Sequence, residues 1–229
     1  GLMLVWPLML RAMNAPVDTV PFLWFIIAAP AIGIALSEEE NPVSTVYRPF
    51  VRKGLIGRIA GGLLYPGWPS GAVFSLVLGL IGFAGMAMLP GSSGSQLMNL
   101  QIYLLALLGS LLLPGMLIVL AGQRFKDRAA AFILLWIAFV IVGLVGASLG
   151  KELSSSLVFW CLAWDPVVLL PMSDLIDESG NRYNWAALQW KHLLLSGVIA
   201  NGIYLLVLLL KAIPAFRRIR SLEQETPSE

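Results

Sequence analysis

Residues 129–150 read AAAFILLWIAFVIVGLVGASLG, and residues 192–210 read HLLLSGVIANGIYLLVLLL. Neither stretch holds an Asp, Glu, Lys or Arg. A hydrocarbon core of about 30 Å takes roughly 20 apolar residues in helix, and both stretches have that length. Between them lies a broken segment, Lys151–Lys191, which carries Asp165, Asp174, Asp177 and Glu178. After them come Lys211, Arg217, Arg218 and Arg220. Two spans around a kinked polar excursion is a membrane arrangement. Within the excursion, Ser154–Pro171 approaches spanning length, but Asp165-Pro166 interrupts it.

The rest of the composition agrees. The chain has 229 residues, 58% of them hydrophobic and 12% charged. Soluble domains carry about 25% charged residues, so this is a polytopic membrane protein. A net charge of +2 gives no footprint for nucleic acid. One cysteine, Cys161, excludes an intrachain disulfide and a Cys-based metal cluster. One histidine, His192, excludes a multi-His metal site. The eight tryptophans suit residues at bilayer interfaces.

Working outward toward the N-terminus, Met98–Ala121 is another span, with Pro114-Gly115 inside it. Arg124, Lys126, Asp127 and Arg128 make a tight polar turn after it. Ala72–Leu89 also spans, and Gly79, Gly82 and Gly85 give it a small-residue strip for close helix contact. Tyr65-Pro66-Gly67-Trp68-Pro69-Ser70-Gly71 reads as a break before it. Val17–Leu36 is long enough to cross and includes Pro21 and Pro30, which membrane helices tolerate where neighbours compensate. Gly1–Met13 reads as the end of a sixth span or as an interfacial segment.

Residues 43–64 read differently. Arg48 and Arg52 are four apart and share a helical face, with Lys53 and Arg58 close by. Tyr47, Phe50, Val51, Leu55 and Ile59 supply apolar surface. The pattern predicts an amphipathic helix along the membrane surface or against a partner. Glu38, Glu39 and Glu40 precede it, ahead of the Asn41-Pro42 turn, and read as a dock for a basic patch or as a solvated acidic run.

Lysine and arginine placement sets the orientation. If Ser154–Pro171 does not cross, then Arg48, Arg52, Lys53, Arg58, Arg124, Lys126, Arg128, Lys211 and the C-terminal arginines share one side. The other side keeps Arg11, Lys151, Arg182 and Lys191. If it crosses, the bias collapses. The expectation is therefore an all-α polytopic transmembrane helix bundle, one integral membrane domain over residues 1–229. It has five spans, a cytoplasmic helix at 43–64, an extracytoplasmic re-entrant or interfacial hairpin at 151–191, and a cytoplasmic tail at 214–229. The expected setting is a bacterial inner membrane with the C-terminus in the cytoplasm.

An excursion before the final span, then a last helix closing on Arg217-Arg218-x-Arg220, resembles the permease subunit of ABC-2 type transporters. That resemblance implies a cytoplasmic coupling helix at residues 43–64 and external helices at 151–191. It also implies a substrate moved or flipped by the power of a separate ATP-binding subunit. The chain has no Gly-x-x-x-x-Gly-Lys-Ser/Thr loop, so the ATP site belongs to that partner. The first span is cut short relative to the family pattern.

Few side chains carry chemistry. Asp165 is an intramembrane acid, a functional suspect by its cost; the alternative is an N-cap with Pro166 at the first helical position. Asp174, Asp177 and Glu178, followed by Ser179-Gly180-Asn181, read as an exposed turn rather than a cation site. His192 is a weak candidate for ligating a pigment or heme iron, against a plain interfacial histidine. Asn201 lines a pathway or makes an interhelical hydrogen bond. No Ser/His/Asp set, paired histidine or nucleotide loop is present, so no enzyme and no cofactor in the chain itself is expected. Two classes remain. One is a permease for a hydrophobic or lipidic substrate, in keeping with the few polar residues in the spans. The other is an accessory or scaffold subunit of a respiratory or photosynthetic membrane complex.

Overall fold

The structure, a computed structural model, describes residues 20–39, 67–87, 94–152, 165–169 and 190–225. Among these, five helices are long and apolar enough to cross a membrane, and no strand is present. They are α1 (Val20–Ser37), α2 (Trp68–Ala87), α3 (Gly94–Ala121), α4 (Arg128–Glu152) and α5 (Trp190–Glu225). A 3₁₀ turn, Pro166–Val168, stands between α4 and α5. The chain is thus an all-α polytopic bundle, as its composition requires. Residues 43–64, with Arg48, Arg52 and Lys53, lie outside the described residues, as do Gly1–Met13, Glu40 and most of 151–191.

Two helix boundaries differ from the sequence reading. α2 begins at Trp68, inside the stretch read as a break. Pro69 falls in its first turn, where a missing N–H costs nothing. The last helix passes through Pro214 and continues to Glu225, beyond the Arg217–Arg220 cluster on which the sequence reading closes it. Arg, Leu and Glu beyond Pro214 are good helix formers and carry it on.

Alternating directions follow from cross-helix contacts. Phe22 of α1 packs against Tyr103 of α3 with the rings tilted, their centroids 5.6 Å apart. At the other end of α1, Leu36 meets Gly115 of α3, so the two run parallel. Gly71 of α2 lies against Ala35 and Gly82 against Trp24, so α2 is antiparallel to α1. Phe132 of α4 reaches Gly33, and Trp136 stacks on Phe25 at 6.3 Å, so α4 is antiparallel too. On α5, Asn201 meets Leu105, whereas Ala212 and Ala215 pack with Trp68 and Val119, so α5 runs with α3. One end of the bundle therefore gathers Glu38, Glu39, Arg124, Lys126, Asp127, Arg128 and Arg217. We term it the charged end. α4 finishes and α5 begins at the opposite end.

The core sits on α3. In its apolar window 72% of residues are buried, against 17% in α4. α3 is the central post and α4 stands on the periphery. Lipid gives no hydrophobic drive between helices, so close approach decides which faces meet. A Cβ on Gly71 would stand 2.7 Å from the Ala35 carbonyl carbon and oxygen, so α1 and α2 touch backbone to backbone. One on Gly82 would meet Trp24 Nε1 at 2.9 Å and Leu104 at 3.2 Å. Gly79 and Gly85 share that buried face.

Candidate functional site

The described part of the excursion is residues 165–169, and its depth is fixed by what it touches. Asp165 and Val167 lie against Gly143 of α4. Gly143 is about nine residues, roughly 14 Å, from the end of α4 at Glu152. Tyr204, which shares a cavity with Asp165, stands near the middle of α5. Leu169 is nearer the opposite end, beside Gly197 and Leu105. The turn is therefore at mid-height, while α4 leaves and α5 starts from one and the same end.

Asp165 uses its two carboxyl oxygens differently. The Val167 N–H donates to Oδ1 at 3.1 Å, and the Val168 N–H donates to the Asp165 carbonyl at 3.1 Å. With Pro166 between, this is a capped turn, because proline needs no partner there. Oδ2 is buried and accepts no hydrogen bond. In lipid-like surroundings such an oxygen is costly.

Beneath the turn, on its charged-end side, lies a groove of about 470 Å³. α3 lines it from Leu113 to Leu120, α4 from Val142 to Phe139, and α5 from Ile203 to Val207. Each of these progressions runs from mid-height toward the charged end. Leu120 and Val142, 50% and 57% exposed, form a mouth on the outer, apolar surface of the bundle. Tyr204, 2% exposed, backs the inner end beside Asp165. The turn at 165–169 stands above the groove, where Leu169 packs on Leu105 and Gly197. The result is a lateral groove on the apolar surface that reaches up to the turn at 165–169 at mid-height, with the Asp165 carboxylate at that limit.

The other sequence candidates fall elsewhere. Asn201 is buried, and its Nδ2 donates to the Leu105 carbonyl at 2.9 Å and the Gly197 carbonyl at 2.8 Å. It ties α5 to α3. His192 stands half-buried in the first turn of α5. Among the described residues no three His, Cys, Asp or Glu side chains come together as a metal set.

Glu38 has an anchoring role at the charged end. Its carboxylate Oε2 accepts from the Gly67 N–H at 3.1 Å, and its carbonyl accepts from the Trp68 N–H at 3.2 Å. Arg128 Nη1 donates to the same carbonyl at 3.3 Å. Gly67 has φ of 120°, a conformation that glycine alone holds cheaply. Glu38 so caps the start of α2 from the end of α1, and Arg128 adds the start of α4. Glu39 is exposed next to this junction. The sequence reading missed Gly143 and Tyr204 altogether. Gly143 lies inside the apolar run 129–150, and nothing local marks it as the seat of Asp165. Comparison of this chain with protein-family models, curated proteins and solved structures finds no match.

Proposed function

We propose that this chain is the membrane-embedded permease subunit of an ATP-driven transporter, moving a hydrophobic or lipidic substrate with a separate ATPase subunit. The observation that carries the reading is the lateral groove beneath Asp165. A hydrophobic cargo arrives through the lipid rather than from water, so its site needs a mouth on the lipid face. A site for transport also needs to be open to one half of the membrane and closed to the other. The groove is open on its charged-end half, and residues 165–169 stand over it. With the basic end in the cytoplasm of a bacterial inner membrane, the mouth faces the cytoplasmic leaflet.

The junction at Glu38 supports a coupling role for the segment that follows. Glu38, one residue before the last described position ahead of 40–66, is bonded to Gly67, the first described position after it, and to Arg128, at a point shared by α1, α2 and α4. A partner pressing on Arg48, Arg52 and Lys53 would act on that point. Catalysis resides in the partner, and this chain needs no cofactor of its own.

A second reading has one observation in its favour. α4 leaves Ile133, Leu134, Ile137, Ile141, Leu144 and Val145 exposed along most of its length. An accessory subunit of a larger respiratory or photosynthetic assembly would cover that face with protein. Purification in mild detergent separates the two. Copurification of a chain with a phosphate-binding loop supports the permease; copurification of cofactor-bearing membrane chains without one supports the scaffold.

A further inference from the structure

We propose that the groove is selective for lipophilic organic cations, with the positive centre held at Asp165 and the apolar body lying toward the charged end. The inference rests on the transport reading and names its substrate class. Asp165 Oδ1 is already satisfied by Val167, so Oδ2 is the oxygen left for a ligand. Among the described residues no Lys or Arg lines the groove, and the basic side chains sit toward the bundle ends, so none of them stands as a counter-ion to the carboxylate in its own site. A charge held in such surroundings favours an opposite charge strongly and repels a like one.

Two further features agree. Phe139 and Tyr204 place aromatic rings in the same groove, and aromatic faces attract organic cations. Its volume of about 470 Å³ falls in the range of roughly 300–1,000 Å³ found for sites of drug-sized molecules. The inner end is at mid-height, where a phospholipid entering tail-first would bring only methyl groups to the carboxylate. A phosphate at that point would meet a second anion. A compact cation with an apolar body fits both ends of the groove.

The test uses two probes of one shape and opposite charge, radiolabelled tetraphenylphosphonium and tetraphenylborate, with the full chain in lipid nanodiscs. Wild type is expected to bind the phosphonium about tenfold or more tighter than the borate. Asp165→Asn keeps an Oδ1 acceptor for Val167 and is expected to abolish that preference. Val207→Trp fills the groove and is expected to weaken both probes, with an unfolding midpoint measured alongside to show that the chain is folded. Equal binding of both probes, lost in Val207→Trp, would overturn the cation preference and leave the hydrophobic-substrate reading standing. A preference that survives Asp165→Asn would remove Asp165 from the site. Binding of neither probe above empty nanodiscs would overturn both the preference and the groove as a substrate site.

Discussion

Asp165 Oδ2 lies 3.1 Å from the point where a Cβ on Gly143 would stand, and Val167 Cβ lies 2.8 Å from it. The mid-height turn is seated on a helix backbone, with no side chain in between. Gly143→Ala is therefore expected to push the turn off α4. Alanine gains up to about 1 kcal/mol in helix propensity, but overpacking against a Cβ costs roughly 1–3 kcal/mol, so the net change is destabilising. Thermal unfolding in detergent reads it out, and Gly202→Ala is the control. Nothing lies within 4 Å of a Cβ there, so its midpoint should stay or rise.

A ranking is expected at the α1–α2 contact. Gly71→Ala meets the Ala35 backbone at 2.7 Å, which has nowhere to go. Gly82→Ala meets side chains only, the Trp24 ring and Leu104, which give more readily than backbone. The first should cost about 2–3 kcal/mol and the second about 1 kcal/mol. Equal losses in equilibrium unfolding would mean that the helices do not meet backbone to backbone at Gly71.

Orientation is open to labelling. With Cys161→Ala as background, cysteines at Ala87 and Met98 mark the opposite end of the bundle, and cysteines at Phe125 and Lys126 mark the charged end. An impermeant maleimide added to intact cells should label the first pair and reach the second only after permeabilisation. The reverse pattern would turn the chain over and place the groove's mouth in the outer leaflet.

The spans were legible because about 20 apolar residues between polar turns admit little else in a bilayer. Asp165-Pro166 was legible as a capped break. The depth of that break was not. It depends on Gly143 offering bare backbone and on Leu169 fitting beside Gly197, and both are matters of register between helices distant in sequence. The groove was hidden for the same reason: its walls are leucines, valines and aromatics that in sequence look like any span. Glu38 registered only as part of an acidic run. Its service as a cap for α2 joins residues 29 apart and needs the fold to bring them together.

Glu38→Ala removes the acceptor for the Gly67 N–H but leaves the Glu38 carbonyl for Trp68 and Arg128. The stability loss should be modest, about 0.5–1 kcal/mol, the usual size of a cap. Glu38→Gln, which keeps an acceptor, should lose less. If the junction transmits force from a partner, Glu38→Ala should lower transport more than it lowers ATP hydrolysis by the intact particle. A parallel fall in both would make Glu38 a stabilising cap and nothing more.

The most direct test of the transport claim is ATP-driven movement of a hydrophobic substrate. The particle purified in mild detergent is reconstituted into sealed vesicles, and ATP-dependent movement of a labelled lipophilic probe is followed. The account predicts movement that requires ATP, this chain and a copurified ATPase, and that falls when Val207→Trp fills the groove. A particle that contains no ATP-hydrolysing subunit, and moves nothing on addition of ATP, would contradict it.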